Sequence, residues 1–181
     1  MRPVKPRPSA DAQKATTSVV EDYLQVLHYL TRDGCTVIAA RLAERLMTDL
    51  LKMPWHESHE EAHGVEHAIT PKVEARLLQA LGNPTTCPHG NPIPGLGKLA
   101  PDEFPLHKAE TGDELIIQRI TEEAEEDLQL MQYLQEHGVE PGARMKVREA
   151  TRFNALVVLE GPHGPVSLGF PVAAKLRARY V

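Results

Sequence analysis

Prolines and glycines concentrate between residues 83 and 105, and they divide the chain into two parts of different character. Six prolines fall in this stretch, together with four glycines when the preceding Gly82 is counted. A long helix or strand does not tolerate this density, because proline lacks a backbone N–H and glycine adds conformational freedom. We therefore expect the boundary between two domains here.

The part before this boundary has the apolar spacing of helices. After a proline-rich, basic arm, the spacing predicts helices from about Val19 to Leu30, from Thr36 to Leu51 and from Pro54 to Ile69. A further helix is predicted to begin at the Thr70-Pro71 cap and to end at Gly82. Its apolar stripe needs a partner, either another helix or a second copy of the chain; the stripe consists of Val73, Leu77, Leu78 and Leu81.

The part after the boundary contains short β-like runs separated by turn residues. These runs cover 114–120, 144–148, 155–159 and 165–169, and one helix is predicted between them, over 122–136. Several short strands with few large residues suggest a small SH3-like β-barrel. We thus predict an α+β fold in which a helical part precedes this barrel.

Four histidines and a glutamate recur at helical spacing just after Pro54. At 100° per residue they fall within an arc of roughly 100° on one helix face; they are His56, His59, His63, Glu66 and His67. Imidazole mixed with carboxylate suits Mn, Fe, Co, Ni or Zn better than Ca or Mg. The row therefore indicates either a transition-metal site or a solvated polar face.

Composition limits the other classes of function. The net charge of −5 lacks the basic signature of a nucleic-acid binder. Cys35 and Cys87 form no CxxC pair, and Cys87-Pro-His89 is more typical of a loop than of a ligand pair. The chain has no apolar run near 18 residues and no signal-peptide core, so we expect a soluble cytoplasmic protein.

An enzyme is the second interpretation of the histidine row. His59-Glu60-Glu61-Ala62-His63 matches the HExxH pattern of zinc hydrolases, in which the glutamate acts as general base. The longer metzincin pattern fails, because Glu66 and Ile69 stand where it requires Gly and His. We therefore expect no enzymatic activity.

Three motifs together carry a resemblance to a known family. They are Glu21-Asp-Tyr-Leu24, the stretch His59-Glu-Glu-Ala-His-Gly-Val-Glu-His67, and Asn91-Pro-Ile-Pro-Gly95. The chain resembles the iron- and manganese-dependent transcriptional regulators of the diphtheria toxin repressor (DtxR) family. The resemblance implies a flexible arm (1–18), a remnant of a helix-turn-helix domain (19–46), a helical metal-binding and dimerisation domain (47–97), a linker (98–107) and an SH3-like, FeoA-like domain (108–181).

The resemblance also implies two metal sites. The primary site would use Asp22, His63, Glu66 and His67. The ancillary site would use Glu44 and His59 from the helical part, with Glu126 and Gln129 from the SH3-like domain. Ala40 stands where this pattern has a further histidine. Mn²⁺ or Fe²⁺ is the expected metal, with Zn²⁺ or Co²⁺ as alternatives.

One departure from the family pattern bears on DNA binding. Ile38 to Leu46 resembles the first helix of a helix-turn-helix, but the residues 47–53 that follow contain no turn residue. No recognition helix or wing is visible before Pro54, so the DNA-binding residues are unknown. We expect a homodimer that binds metal. The alternative is a metal-binding protein that does not itself bind promoter DNA and forms a heterodimer with a full-length paralogue.

Overall fold

The computed structural model describes residues 37–181, in which a helical part precedes an antiparallel sheet. The arm, the first predicted helix and Asp22 lie outside the described residues. The predicted α+β architecture is confirmed. No helix within 37–181 is long and apolar enough to cross a membrane.

Three helices form the helical part. Helix α1 (Val37–Arg45) continues as a π-helical turn over Leu46–Leu50. Helix α2 (Trp55–Val65) starts directly after Pro54 and tightens into a 3₁₀ turn over Glu66–Ala68. Helix α3 (Pro71–Ala80) has proline in its first turn, and the Thr70 side chain accepts a hydrogen bond from the Val73 backbone N–H.

Helix α3 lies on the surface of this chain with none of its residues buried. Val73 is 45% exposed, and Leu77 and Leu78 are only partly covered. The predicted apolar stripe therefore has no complete partner within residues 37–181.

Six strands build one antiparallel sheet in the order β1-β6-β2-β3-β4-β5. The strands are β1 (Phe104–Pro105), β2 (Glu114–Ile120), β3 (Arg144–Thr151), β4 (Leu156–Gly161), β5 (Gly164–Gly169) and β6 (Leu176–Tyr180). A 3₁₀ turn over Leu106–Lys108 follows β1, and a short helix, Phe170–Ala173, follows β5. Alternate strand residues such as Leu115, Ile117, Val157 and Leu159 fill an aliphatic core, as the low aromatic content predicts.

The predicted helix over 122–136 is two helices in the structure. Helix α4 (Glu122–Glu125) ends before Asp127, whose side chain accepts a hydrogen bond from the Leu130 N–H and caps α5 (Leu128–Glu136). Thus the carboxylate of Asp127 starts a new helix where the apolar spacing alone suggested continuity. The short strands β1 and β6 were not among the predicted strands.

The proline-rich segment packs against the sheet. Cys87, His89, Asn91 and Ile93 are buried. The Ile120 N–H donates to the His89 carbonyl at 2.9 Å, and the Asn91 amide donates to the Ile120 carbonyl at 2.7 Å. Gly90 has φ +87°, and an added Cβ would lie 2.3 Å from the Gln118 carbonyl oxygen, so only glycine fits there. This docking holds the helical part against the end of β2.

Candidate metal centre

Glu44 of α1 and His59 of α2 meet as the ancillary-site prediction requires. His59 Nδ1 lies 2.9 Å from Glu44 Oε1, and the Glu44 side chain is only 2% exposed. A carboxylate is rarely buried to this degree unless it is paired or binds a metal. The contact therefore marks a specialised polar centre between the two helices.

The acidic residue that approaches this pair from the sheet domain is Glu125. Its Oε2 atom lies 3.5 Å from His59 Nδ1, and its side chain is fully buried. Glu126 and Gln129 are both exposed, and neither has a hydrogen bond or ion pair with Glu44 or His59. The short helix α4 turns Ala124 and Glu125 inward and leaves Glu126 in solvent, so the structure does not bring the two predicted residues to this centre.

Cys87 and His89 complete the centre, whereas their sequence context predicted a loop without a ligand pair. His89 Nδ1 lies 3.3 Å from Glu125 Oε1 and 3.9 Å from Glu44 Oε2. Donor atoms of Glu44, Cys87 and His89 all lie within 4.8 Å of one another, and so do those of Glu44, His59 and Glu125. The signal for the pair was available in the sequence, since two ligand-type side chains stand directly before the Asn91-Pro-Ile-Pro-Gly95 motif. We call the set Glu44, His59, Cys87, His89 and Glu125 the junction cluster.

Hydrogen bonds orient the ligands of the junction cluster. His89 Nε2 lies 3.0 Å from the carbonyl oxygen of Trp55 at the start of α2, which assigns the ring proton to Nε2. His89 Nδ1 then faces the carboxylates, and it has no well-aligned hydrogen bond despite being buried. Asn91 donates to Glu125 Oε1 at 2.6 Å. A metal ligand held by a second hydrogen bond in this way is the usual arrangement for imidazole sites.

A buried arginine balances the charge of the cluster. Burial by itself would favour the neutral acids, but Arg41, together with His59 and His89, outweighs it and holds the pKa of Glu44 and of Glu125 below their ordinary values. The hydrogen bond to Glu44 raises the pKa of His59, while burial raises the pKa of the Cys87 thiol. The metal-free cluster therefore holds ionised carboxylates beside cationic side chains and a protonated thiol.

A second group of ligand-type residues lies at the C-terminal end of α2 and in the 3₁₀ turn that follows it. His63 Nδ1 lies 2.9 Å from Glu66 Oε1, and His67 Nε2 lies 3.7 Å from the same oxygen. Glu66 is buried, whereas both imidazoles are exposed. We call His63, Glu66 and His67 the helix cluster; Asp22, the fourth predicted ligand, lies outside the described residues.

The histidine row on α2 thus divides among three surroundings. His59 belongs to the junction cluster, His63 and His67 belong to the helix cluster, and His56 Nδ1 lies 2.9 Å from Gln135 Oε1 of α5. The HExxH interpretation requires His59 and His63 to share one metal, but they face different glutamates. Its proposed base, Glu60, is exposed. This geometry disfavours the zinc-hydrolase alternative.

The donor sets of both clusters fit a divalent transition metal. Imidazole nitrogens, carboxylate oxygens and one sulfur suit Mn, Fe, Co or Zn, whereas Ca and Mg prefer oxygen alone. The position of His89 supports the fit: its buried Nδ1 lies 3.3 Å from Glu125 Oε1 and 3.9 Å from Glu44 Oε2, so loss of the Nδ1 proton would leave a nitrogen ligand beside two carboxylates.

Comparisons with known proteins match two family models to successive parts of the chain. The family model for the metal-binding and dimerisation domain of iron-dependent repressors matches residues 36–95, and the FeoA domain model matches residues 104–179. The iron-dependent repressor IdeR of Mycobacterium leprae is 36% identical over 152 residues, which covers 78% of this chain and 66% of that protein. The diphtheria toxin repressor of Corynebacterium glutamicum is 36% identical over 117 residues, covering 59% of this chain and 51% of the relative.

Solved structures of metal-dependent repressors also resemble this chain. A manganese-dependent transcriptional repressor in complex with manganese aligns with a TM-score of 0.70 and 30% identity, over 80% of this chain and 69% of that one. The repressor ScaR with bound Zn²⁺ aligns with a TM-score of 0.66 and 27% identity, over 79% of this chain and 70% of that one. The fold is therefore that of the solved metal-dependent repressors.

Within that class, the chain belongs to the iron- and manganese-dependent repressors of the DtxR family, as its motifs predicted. It spans about two thirds of the length of the mycobacterial relatives. The matched proteins are named as repressors, which also supports the expectation that the chain is not an enzyme.

Proposed function

We propose that this protein is an Fe- or Mn-dependent transcriptional regulator of metal homeostasis that binds divalent metal and forms a homodimer. The observation that carries the proposal is the junction cluster, in which two buried carboxylates, two imidazoles and a thiol converge from α1, α2, the proline-rich loop and α4. Membership of a repressor family supports the same function.

The junction cluster is the proposed ancillary site. Glu44, His59, His89 and Glu125 would hold the ion, and Cys87 offers a softer ligand. The donors belong to both the helical part and the sheet domain, so an ion bound there would cross-link the two. Glu126 and Gln129, which the family resemblance implied, are replaced in this proposal by Glu125 and the loop pair Cys87 and His89.

The helix cluster is the proposed primary site, with His63, Glu66 and His67 joined by Asp22. Glu66 and His67 lie in the 3₁₀ turn that ends α2, and His63 lies one turn earlier. An ion held here together with Asp22 would fix the first predicted helix against the dimerisation domain. Metal occupancy would in this way set the geometry of the N-terminal region.

The relatives support Mn²⁺ or Fe²⁺ as the physiological metal, since the similar proteins are named as manganese- or iron-dependent repressors. Zn²⁺ and Co²⁺ remain the chemical alternatives, because His63 and Cys87 add ligands that these ions accept readily. We expect the protein to act in the cytoplasm, where both metal and promoter DNA are found.

A gel-shift experiment tests the regulatory function. The full chain would be loaded with Mn²⁺ or Fe²⁺ and mixed with a metal-regulated promoter at about 150 mM salt, where weak phosphate contacts are largely suppressed. A discrete, sequence-dependent complex that chelator abolishes would establish repression by this chain. Glu66→Ala should lose the metal response in the same assay. A complex that forms without regard to metal or DNA sequence would contradict the proposal.

A second candidate function is metal binding and dimerisation without DNA contact of its own. It is favoured by the sequence, in which no recognition helix or wing is visible before Pro54. Basic residues of the arm would then supply only weak contacts to phosphate; they are Arg2, Lys5, Arg7 and Lys14. The comparisons do not support a heterodimer with a full-length paralogue, and co-purification from cells expressing both would be the test of it.

A further inference from the structure

Arg41 of α1 lies in the middle of the junction cluster. Its Nη1 atom is 3.0 Å from Glu125 Oε2, 3.4 Å from both carboxylate oxygens of Glu44 and 3.6 Å from Cys87 Sγ. One guanidinium nitrogen therefore contacts three of the five ligand groups, and the arginine side chain is only 7% exposed.

The position of this nitrogen conflicts with a bound metal. A divalent ion held by Glu44 and Glu125 needs the same oxygen lone pairs to which Nη1 donates. Two cations at one pair of buried carboxylates also repel each other strongly, because little solvent screens them. Metal and Nη1 are thus alternative partners for these oxygens.

Arg41 has a second anchor outside the ligand set. Its Nη2 atom pairs with Glu122 of α4, whose side chain is 24% exposed and belongs to neither metal group. A guanidinium that leaves Glu44 and Glu125 can therefore keep an anionic partner at the edge of the site without entering bulk water.

We propose that Arg41 is a tethered competitor of the metal at the junction cluster, an inference that rests on metal binding there as argued above. Without metal, Nη1 pairs with Glu44 and Glu125 and links α1 to α4. With metal bound, Glu44 and Glu125 would serve as ligands of the ion, and the Arg41 guanidinium would shift toward Glu122. Arg41 thereby stabilises the metal-free state and lowers the metal affinity of the cluster, so that the cluster fills only when metal is abundant.

The same geometry permits an opposite role, which the experiment separates. Because Nη1 also approaches Cys87 Sγ, the arginine charge favours the thiolate, and a thiolate strengthens metal binding. If that effect dominated, removing Arg41 would weaken metal binding. The two contacts to carboxylate and the ready alternative partner Glu122 favour competition.

The test measures Co²⁺ and Mn²⁺ affinity in a Glu66→Ala background, which disables the helix cluster. Trp55 is the only tryptophan of the chain, and its ring centre lies 5.2 Å from that of His89, so its fluorescence reports on the junction cluster. Calorimetric titration checks the same affinity independently. Arg41→Met should tighten metal binding by about tenfold or more. It should also lower the Tm of the metal-free protein and enlarge the rise in Tm on adding metal.

Variants of α4 keep the inference testable if Arg41→Met does not fold. Glu122→Gln removes the alternative partner of Arg41 and should weaken metal binding. Glu123→Gln is the matched control, because it removes one charge from the same helix at a residue that pairs with Lys175 instead.

The outcomes separate failure of the proposed function from failure of the proposed role of Arg41. If the parent protein binds no metal at the junction cluster, the proposed function fails with the inference. If the parent binds metal but Arg41→Met binds it equally or more weakly, only the tethered competitor is contradicted. Equal affinities for Glu122→Gln and Glu123→Gln would likewise overturn the displacement of Arg41 toward Glu122.

Discussion

Glu125 and Glu126 are sequence neighbours with opposite surroundings, and this difference decides which of them serves the junction cluster. Glu125 is buried and hydrogen-bonded to Asn91, whereas Glu126 is exposed. The family resemblance pointed to Glu126 because an offset of one residue within an acidic run leaves almost no trace in the sequence. Only the direction of the short helix α4 separates the two carboxylates.

Replacing each of these two carboxylates in turn by an amide tests which of them serves the junction cluster. Glu125→Gln should weaken metal binding at the junction cluster by about tenfold or more, since it removes a charged ligand from a buried site. Glu126→Gln, which alters an exposed residue, should leave the affinity unchanged. Trp55 fluorescence during Mn²⁺ titration measures both. A loss in Glu126→Gln with none in Glu125→Gln would restore the original assignment.

His107 provides a pH-dependent signature away from the metal clusters. Burial and the nearby cations Lys108, Arg177 and Arg152 lower its pKa below the ordinary value of 6.5. The folded protein therefore resists protonation more than the unfolded chain does. The contribution of His107 to the stability of the fold should therefore be complete above pH 6.5 and be lost as the pH falls through its lowered pKa.

An NMR titration of the His107 ring measures this pKa directly. Urea unfolding across the same pH range gives the free energy of unfolding of the parent and of His107→Gln. That free energy should fall less steeply toward acid pH in the variant than in the parent. A His107 pKa at or above 6.5 in the folded protein would contradict the electrostatic account of this residue.

Within residues 37–181, helix α3 has an apolar stripe but none of its residues is buried. Its helical spacing and its cap were readable from the sequence, and the structure confirms that it forms a helix. Its partner was not readable, because an apolar stripe specifies that burial is needed and does not specify the surface that provides it. The matched dimerisation-domain model supports a second copy of the chain as that partner.

Placing a charge on this stripe should dissociate the proposed homodimer. Leu77→Glu puts a carboxylate in the stripe, where burial against another chain would be costly. Gln79→Glu adds the same charge to the exposed side of α3 and should leave assembly unchanged. Analytical ultracentrifugation compares the two variants. A Leu77→Glu variant that sediments like the parent dimer would place the interface elsewhere.

The docked proline-rich loop is the second informative element. Gly90→Ala should destabilise the protein by about 1–3 kcal/mol, because the added Cβ meets the Gln118 carbonyl and the backbone has positive φ. Gly64→Ala is a useful contrast, since a Cβ there meets nothing within 4 Å and lies in the helix α2. It should stabilise the protein by about 0.5–1 kcal/mol. Urea unfolding measures both, and equal effects would contradict the tight docking of the loop.

At the scale of the whole molecule, the sequence predicted the order of domains, the α+β class and the family, because proline density and apolar spacing are local signals. It did not predict that the proline-rich boundary packs against the sheet and holds the helical part there. Cys87 and His89 become candidate ligands only when the loop packs against Glu44 and Glu125, residues that lie about forty positions away on either side. The sequence shows two ligand-type side chains before the Asn91-Pro-Ile-Pro-Gly95 motif, but it does not show which distant carboxylates they meet.

Metal stoichiometry tests the central claim, that one chain binds transition metal at two separate clusters. Mn²⁺ or Co²⁺ bound to purified full-length protein would be counted by calorimetric titration and elemental analysis, for the parent, Glu44→Ala and Glu66→Ala. We predict two ions per chain in the parent, one in each single variant and none in the double variant. A parent that binds no metal, or single variants that bind as many ions as the parent, would contradict the account.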